Sequence, residues 1–287
     1  EFRRVLFRSL IFFTMALVLA WRPQGLMGEL PGAAQREKVP AFKGWNSQRM
    51  LLWSSLALWF LVSLLLLVVT PYTQHVLEDV LIMMLFGLSL QAMMALSGWV
   101  SFGHAAYFGL GAYAAALSHL HWGFNAVQAA GSGILVACLA AIAMSQLLQR
   151  SAGVYLAMLS LAFAQMVWAG ASQWIAVTGG DNGLIGLALM DTSSRMLFQL
   201  ILISLCACAI LGFARLTRSS MGAALQAGRD APLRALASGL PVTRLNQQVF
   251  LISASVAGLA GSISQSFDTL TEALEIIRRQ SGWKVAD

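Results

Sequence analysis

Charged side chains are scarce in this 287-residue chain: they make up 10% of it, whereas hydrophobic residues make up 58%. A soluble domain carries about 25% charged residues, which cover its surface. The chain therefore lacks the composition of a soluble protein. Its apolar runs are long enough to cross a bilayer, since a helical span needs about 20 residues. The composition predicts a polytopic membrane protein.

Other absences limit the chemistry of the chain. The cysteines, Cys138, Cys206 and Cys208, fall inside apolar runs without the spacing of a metal site or disulfide framework, so we expect them to pack as small apolar residues. The sequence has no phosphate-binding G-x-x-x-x-G-K-[ST] loop. Carboxylates are nearly absent from the apolar runs, and no catalytic or metal-ligand grouping emerges. We therefore expect neither enzymatic activity nor a bound metal or cofactor.

The apolar runs predict an all-α, polytopic transmembrane helix bundle of about seven or eight spans. The expected spans are 5–21, 51–70, 80–97, 104–120, 126–148, 154–176, 196–214 and 247–265. Lysines and arginines between spans fall almost entirely on one side, and only Arg195 falls on the other. The positive-inside rule therefore places 22–50 and 215–246 in the cytoplasm. Glu78 and Asp79 precede a span on the outer side, where we expect both to be solvated.

Composition also predicts the domain organisation. The segment 22–50 holds prolines and most of the early charges, which is typical of a polar linker between membrane units. The polar, charged stretch after Gly261 does not read as a further span. We expect a final span and tail of one membrane unit at 1–30, a cytoplasmic linker at 31–50, a transmembrane domain at 51–265 and an atypical, truncated or frame-shifted tail at 266–287.

Three stretches resemble one family, the LivM-type permeases of branched-chain amino acid ABC transporters. They read GLSLQAMMALSGWVSFGHAAYFGLGAYAAAL at 87–117, VYLAMLSLAFAQMVWAGASQWIAVTGGDNGLIGL at 154–187 and SSMGAALQAGRDAPLRALASGLPVTRLNQQVFLISASVAGLAG at 219–261. The blocks occur in the family's order, which makes the resemblance more specific than any single motif. A shorter stretch, RPQGLMGE at 22–29, resembles the C-terminal end of the companion LivH-type permease.

The resemblance implies a permease subunit of an ABC importer in the bacterial inner membrane. It implies separate ATP-binding subunits that use ATP and Mg²⁺, a second, LivH-like permease domain or subunit, a periplasmic or extracellular solute-binding protein, contact with membrane lipid, and no nucleic acid. Branched-chain or related amino acids are the implied cargo. Importers of urea, amides or small carboxylates share these motifs. The sequence also leaves open an ion-coupled secondary transporter and a non-transporting scaffold or fragment.

Glycines cluster in the stretch LSGWVSFGHAAYFGLGAY, where one predicted helix ends and the next begins. Small residues there permit unwinding and close helix approach. Ser101 is placed to cap the next helix, whose positive dipole end suits an anionic substrate group. The alternatives are glycine packing alone and, for the histidine, a structural hydrogen bond. Candidate residues of a substrate path here are Gly98, Ser101, Gly103, His104, Gly109 and Gly111.

A second part of the candidate path lies at the outer side. The stretch TGGDNG at 178–183 has the chemistry of a turn, and is interpreted either as a turn alone or as part of a mouth that receives substrate. Gln165 in the preceding span either lines the path or makes an interhelical hydrogen bond. The candidates in the outer stretch are Thr178, Gly179, Gly180, Asn182 and Gly183.

The loop 215–246 alternates apolar and charged residues and is broken by Pro232 and Gly239. Proline suits a helix start and glycine a helix end, so the sequence predicts a short helix around 232–238. The resemblance maps RDAPLRALASGLPV onto the family's coupling segment, which docks into the ATP-binding subunit. A helix lying on the lipid surface is the alternative. The implied coupling residues are Arg229, Asp230, Pro232, Leu233, Leu236, Ala237 and Gly239.

Overall fold

A computed structural model of the chain describes residues 71–151, 153–180, 184 and 195–280, with helical pieces at 13–14, 17–18 and Trp59. Side chains are described as far as residue 265. The parts of the chain that the structure describes contain helices and no strand, which confirms the all-α prediction. The first membrane unit at 1–30, the linker at 31–50 and the spans 5–21 and 51–70 lie almost wholly outside the described residues.

Helices follow one another with short connections. They are α1 Pro71–Ser97, α2 His104–Trp122, α3 Ala126–Leu148, α4 Val154–Gln173, α5 Ile175–Thr178, α6 Arg195–Arg218, α7 Ser220–Asp230, α8 Pro232–Ala237 and α9 Val242–Gln280. In α9 the helical backbone continues through 266–280, which includes much of the stretch expected to be an atypical tail.

Five helices are long and apolar enough to cross a membrane, which agrees with a polytopic bundle. They contain the stretches Thr73–Ser97, Ala126–Leu148, Val154–Gln173, Phe198–Arg218 and Val242–Gln265. The stretch 104–120, also predicted as a span, is helical as α2 but is not among the five. It packs against α9, α3 and α4. Its composition is less apolar because it carries His104, His119 and His121.

The ends of the helices agree with the predicted topology. The first part of α9 meets the end of α3, where the Gln247 side-chain amide donates to Ser145 Oγ at 3.0 Å. Leu96 near the end of α1 packs with Leu225 of α7 and with α9. The basic residues Arg150, Arg215, Arg218, Arg229, Arg234 and Arg244 therefore gather at one end of the bundle, as the positive-inside rule requires.

Helix α1 begins nine residues before the expected span at 80, and this changes the setting of Glu78. The expectation that Glu78 is solvated is wrong, since the residue is 1% exposed, whereas Asp79 is exposed as expected. Gln199 of α6 donates a side-chain hydrogen bond to the Glu78 carboxylate. His75, one turn earlier, places its Nδ1 3.9 Å from the other carboxylate oxygen. A buried carboxylate thus links α1 to α6.

Glycines allow the backbones of α2, α3 and α9 to come into direct contact. A Cβ atom added to Gly111 of α2 would lie 2.1 Å from the carbonyl oxygen of Gly258 in α9. One added to Gly261 would lie 1.9 Å from the carbonyl oxygen of Phe108, and one on Gly133 of α3 would lie 2.8 Å from the carbonyl oxygen of Gly111. Such close approach of small residues is typical of helix association in membranes. These three helices therefore form the tightly packed centre of the bundle.

Candidate functional site: a helix break and helices α7 and α8

The six residues 98–103 form a break between α1 and α2. Gly98 has φ +68°, a left-handed conformation that ends α1 and that a residue with a side chain rarely adopts. The chain then turns back along α1, because His104, the first residue of α2, contacts Ser89. Ser89 lies eight residues before the end of α1, which corresponds to about 12 Å of helix. Helix α2 therefore begins inside the bundle, level with Ser89 in the middle of α1 and not with the end of α1.

Gly103, rather than Ser101, occupies the N-cap position of α2. The expected capping role of Ser101 is wrong, and its buried hydroxyl has no hydrogen-bond partner among the described residues. A contact with α4 explains the difference. Phe102 donates its backbone N–H to Ser160 Oγ at 3.0 Å, and a Cβ atom on Gly103 would lie 2.2 Å from the Ser160 carbonyl oxygen. Packing against α4 thus fixes where α2 starts.

A small polar cluster surrounds the start of α2. His104 Nε2 lies 3.0 Å from Ser89 Oγ and 3.2 Å from Ser253 Oγ of α9. Each serine donates its only proton elsewhere, Ser89 to the carbonyl oxygen of Phe86 and Ser253 to that of Ser89. Both serine oxygens are thus acceptors toward the ring, so Nε2 carries the proton and donates to them. In the neutral ring, Nδ1 is then an acceptor.

The cluster is enclosed by aromatic rings, which sets its chemical character. The His104 ring centroid lies 5.7 Å from that of Phe86 and 5.9 Å from that of Tyr107. His104 is 2% exposed and Ser101 is 6% exposed. Among the described residues, neither His104 Nδ1 nor Ser101 Oγ has a hydrogen-bond partner. This end of α2 therefore combines two buried polar atoms with the positive end of a helix dipole.

The glycines of the predicted path fall into two groups. Gly103 and Gly111 are packing positions, because backbone atoms of α4 and α9 occupy the space of a side chain. Gly109 has nothing within 4 Å of an added Cβ atom, and packing does not explain it. A substrate-contacting role for any of these glycines stays a prediction.

The outer candidates are not brought together with the break. Helix α4 ends at Gln173 and is followed by the short α5, whose Thr178 hydroxyl donates to the carbonyl oxygen of Ala171 at 2.5 Å. Gly179 and Gly180 follow with φ +75° and +63°, which agrees with the first part of the predicted turn at 178–183. Ser160, at the break, and Gln173 are separated by about 20 Å of helix. Asn182 and Gly183 lie outside the described residues, and Gln165 lies half-buried on α4.

Helix α7, in the first half of the loop 215–246, is anchored on the bundle. Ser219 caps it by accepting a hydrogen bond from the Gly222 N–H at 3.1 Å. A Cβ atom on Gly222 would lie 2.1 Å from the Leu216 carbonyl oxygen, so glycine permits the tight turn from α6. On its inner face Leu225 is fully buried against Leu96 of α1 and Val249 of α9. This helix is therefore packed against the ends of α1 and α6 and the start of α9.

Helix α8 confirms the predicted short helix around 232–238. Pro232 occupies its first turn, and Gly239 follows it with φ +73°. The N–H of Gly239 bonds the carbonyl oxygen of Leu236 at 3.0 Å and that of Leu240 bonds Ala235 at 3.1 Å, the paired bonds of a Schellman motif. Leu233 is 83% exposed and Leu236 is 58% exposed. Helix α8 thus presents apolar side chains outward.

Comparison with known proteins assigns the break and helices α7 and α8 to one family. Residues 72–273 match a family model described as "Branched-chain amino acid transport system / permease component". The chain belongs to this permease family. The resemblance seen in the three sequence blocks is thereby confirmed, whereas that of 22–29 to a LivH-type permease lies outside the matched residues and stays a prediction.

Two curated relatives of this permease are similar over much of its length. The "High-affinity branched-chain amino acid transport system permease protein LivM" of Escherichia coli (strain K12) is 28% identical over 238 residues, which cover 71% of this chain and 56% of the relative. The protein of the same description from Salmonella typhimurium is 28% identical over 211 residues, 64% of this chain and 50% of the relative. The permease spans about half the length of the curated relatives it matches. The comparison with solved structures gives no match.

Several residues that shape this permease site were missed at the sequence level. Ser89, Ser160 and Ser253 lie in the middle of apolar helices, and a polar residue there is a known signal of internal bonding. Their partners, however, lie 15, 58 and 149 residues away in the chain. The serines are visible in the sequence, but their convergence on the start of α2 is not.

Two substitutions at His104 in this permease distinguish the roles of its two ring nitrogens. A glutamine amide reaches the position of Nε2, and an asparagine amide reaches that of Nδ1. If the ring bridges the two serines through Nε2, His104→Gln keeps the melting temperature near that of the wild type, and His104→Asn lowers it. An equal loss of melting temperature in the two variants would contradict this bridge. The control His104→Leu leaves the serine oxygens without a donor, and it is expected to lower the free energy of unfolding by about 1–3 kcal/mol.

Proposed function

We propose that this chain is a permease subunit of an ABC importer that carries branched-chain amino acids across the bacterial inner membrane. The observation that carries the proposal is the exposed apolar face of α8, at Leu233 and Leu236, beside a helix that is anchored in the bundle. A soluble ATP-binding subunit would cover these leucines. ATP and Mg²⁺ would bind to that subunit and supply the energy of transport.

The mechanism rests on a difference between two states of the partner. When the ATP-binding subunits close on ATP, they displace α8, and α7 carries the displacement to the ends of α1, α6 and α9. Contacts made better in one state than in the other shift the bundle between outward-open and inward-open arrangements. An external solute-binding protein delivers the cargo, and a second, LivH-like permease completes the pathway within the lipid. Nucleic acid has no part in this function.

Within the chain, the proposed path runs past the start of α2. Ser101, His104 and the neighbouring serines are the polar groups described inside the bundle at this depth, and the helix dipole there suits the carboxylate of an amino acid. Thr178, Gly179 and Gly180, with Asn182 and Gly183, contribute to the outer mouth. Gly98 permits the turn that brings the chain back into the bundle.

The experiment that tests this function is isolation of the tagged full chain from its native membranes in mild detergent, with mass-spectrometric identification of bound proteins. We expect an ATP-binding subunit in near-equal amount. Proteoliposomes containing the isolated complex and its solute-binding protein should then accumulate radiolabelled leucine, isoleucine or valine only with ATP inside. An intact, membrane-inserted chain without an ATP-binding subunit would contradict the proposal.

One structural observation favours a second candidate, an ion-coupled carrier. Glu78 is a buried carboxylate within a candidate span, and such groups mark ion pathways in secondary transporters. Its hydrogen bond from Gln199 gives it a structural role as well. Uptake driven by a proton or sodium gradient without ATP would select this candidate. Accumulation of urea, short amides or small carboxylates with ATP would instead retain the importer and change its cargo.

A further inference from the structure

We infer that Arg229 is an internal link that transmits movement of the coupling segment to the α1–α2 break, and is not part of the surface that docks the ATP-binding subunit. The inference rests on the proposed function, because it assigns Arg229 a place in the same energy transfer. It divides the implied coupling residues into an inner contact and an outer face.

The side chain of Arg229 is directed into the protein. It leaves the last turn of α7 and donates a guanidinium hydrogen bond to the carbonyl oxygen of Ala95, in the last turn of α1. Its Nε also donates to Asp230 Oδ1 at 2.9 Å, and its side chain is only 16% exposed. A carbonyl at a helix C-terminus lacks a partner within its own helix and carries partial negative charge, so a guanidinium is a favourable cap. Arg229 thus joins α7 to the end of α1.

The same side chain fixes the conformation of the break. A Cβ atom on Gly98 would lie 2.8 Å from Arg229 Cγ and 3.1 Å from Cδ, so the aliphatic stem of the arginine lies directly over the glycine. Gly98 is the residue at which the chain turns out of α1. A displacement of Arg229 therefore acts on the residue where the break begins, and the break ends at the His104 cluster.

Helix α8 provides the contrast. Leu233 and Leu236 point away from the bundle, and the side chain of Arg234 is exposed. The residues from Arg229 to Leu236 therefore include two surfaces, one turned toward α1 and one turned outward. Removing Arg229 should interrupt transmission while the outward surface remains available.

The test uses a reporter cysteine on the break. Phe102 is 62% exposed, and Phe102→Cys is introduced after Cys138, Cys206 and Cys208 are replaced by alanine. The complex with its ATP-binding subunits is treated with N-ethylmaleimide, once without nucleotide and once with ATP and orthovanadate. We expect the labelling rate to change about fivefold or more in the otherwise unaltered chain. The amount of co-isolated ATP-binding subunit is measured in every sample.

The variants should separate transmission from docking. Arg229→Ala and Gly98→Ala are expected to retain the ATP-binding subunit and to lose the nucleotide-dependent change in labelling. Arg229→Lys should recover part of that change, because lysine can bond the Ala95 carbonyl but lacks the planar fork of the guanidinium. Arg150→Ala is the matched control, because it removes an exposed arginine at the same end of the bundle but outside α7 and α8, and it should behave as the unaltered chain.

The outcomes that overturn the inference are distinct from failure of the proposed function. Loss of the ATP-binding subunit from Arg229→Ala in proportion to the loss of labelling change would make Arg229 a docking residue. An unchanged response in Arg229→Ala, or no response in the otherwise unaltered chain with its ATP-binding subunit bound, would refute transmission through the break. Absence of an ATP-binding subunit from the unaltered chain would refute the proposed function itself.

Discussion

Gly111→Ala is expected to disrupt the packing of the bundle, although it adds a single methyl group. The new Cβ atom would lie 2.1 Å from the Gly258 carbonyl oxygen and 2.7 Å from the Gly258 carbonyl carbon and Cα. Those atoms belong to the backbone of α9, so no side-chain rotation relieves the overlap and the two helices must separate. We expect a loss of stability at or above the upper end of the about 1–3 kcal/mol that overpacking costs.

The measurement is thermal unfolding of the full chain in detergent. Unfolding is monitored as the loss of the monodisperse peak in size-exclusion chromatography after heating. Gly109→Ala is the control, because it lies two residues away on the same helix and has nothing within 4 Å of the added atom. Its melting temperature should stay at or above that of the unaltered chain, since alanine favours helix more than glycine. Equal melting temperatures for the two variants would contradict the backbone contact between α2 and α9.

Leu233→Asp combined with Leu236→Asp is expected to abolish recovery of the ATP-binding subunit. Both leucines are largely exposed in the chain alone, so their replacement should leave the melting temperature nearly unchanged. In the complex, each aspartate would be buried against an apolar surface without a partner, which is strongly unfavourable. If the two leucines are central contacts, each contributing about 2 kcal/mol or more, affinity should fall by more than about a hundredfold.

The measurement is the ratio of ATP-binding subunit to permease in the isolated complex. Ala223→Asp combined with Ala227→Asp is the matched control, since both alanines are exposed on α7 and the pair adds the same two charges outside α8. This control should retain the subunit. If the ATP-binding subunit is recovered undiminished with both leucines replaced, α8 does not dock that subunit. This result would favour a helix that lies on the lipid surface, and the two substitutions should then weaken the binding of α8 to lipid.

Local features of the coupling segment could be predicted from sequence because their causes are local. Pro232 favours the first turn of a helix, and it begins α8. Gly239 adopts the left-handed conformation that follows the end of the same helix. Long apolar runs likewise predicted α3, α4 and α6 with nearly correct limits. The predicted function of the segment came from family resemblance and not from these signals.

The errors have causes that are distant in sequence. Glu78 seemed solvated because it lies beside Asp79, but its partner Gln199 is 121 residues away. Ser101 seemed a cap because serine favours that position, but the contact of the break with Ser160 places Gly103 there. Arg229 belongs to a basic, amphipathic stretch, and nothing in that stretch indicates that Ala95 is its partner. Pairing across the bundle is the information that local patterns lack.

The central position of α9 has a consequence for biosynthesis. Helices α2 and α3 bury their small-residue faces against α9, yet α9 follows them by about a hundred residues or more. During synthesis α2 and α3 leave the ribosome before α9 does. Their small-residue faces therefore stay unpaired in the insertion machinery or the bilayer until α9 is made. Insertion of individual helices can precede association in membranes. Synthesis of α9 is therefore the event that allows α2 and α3 to bury these faces.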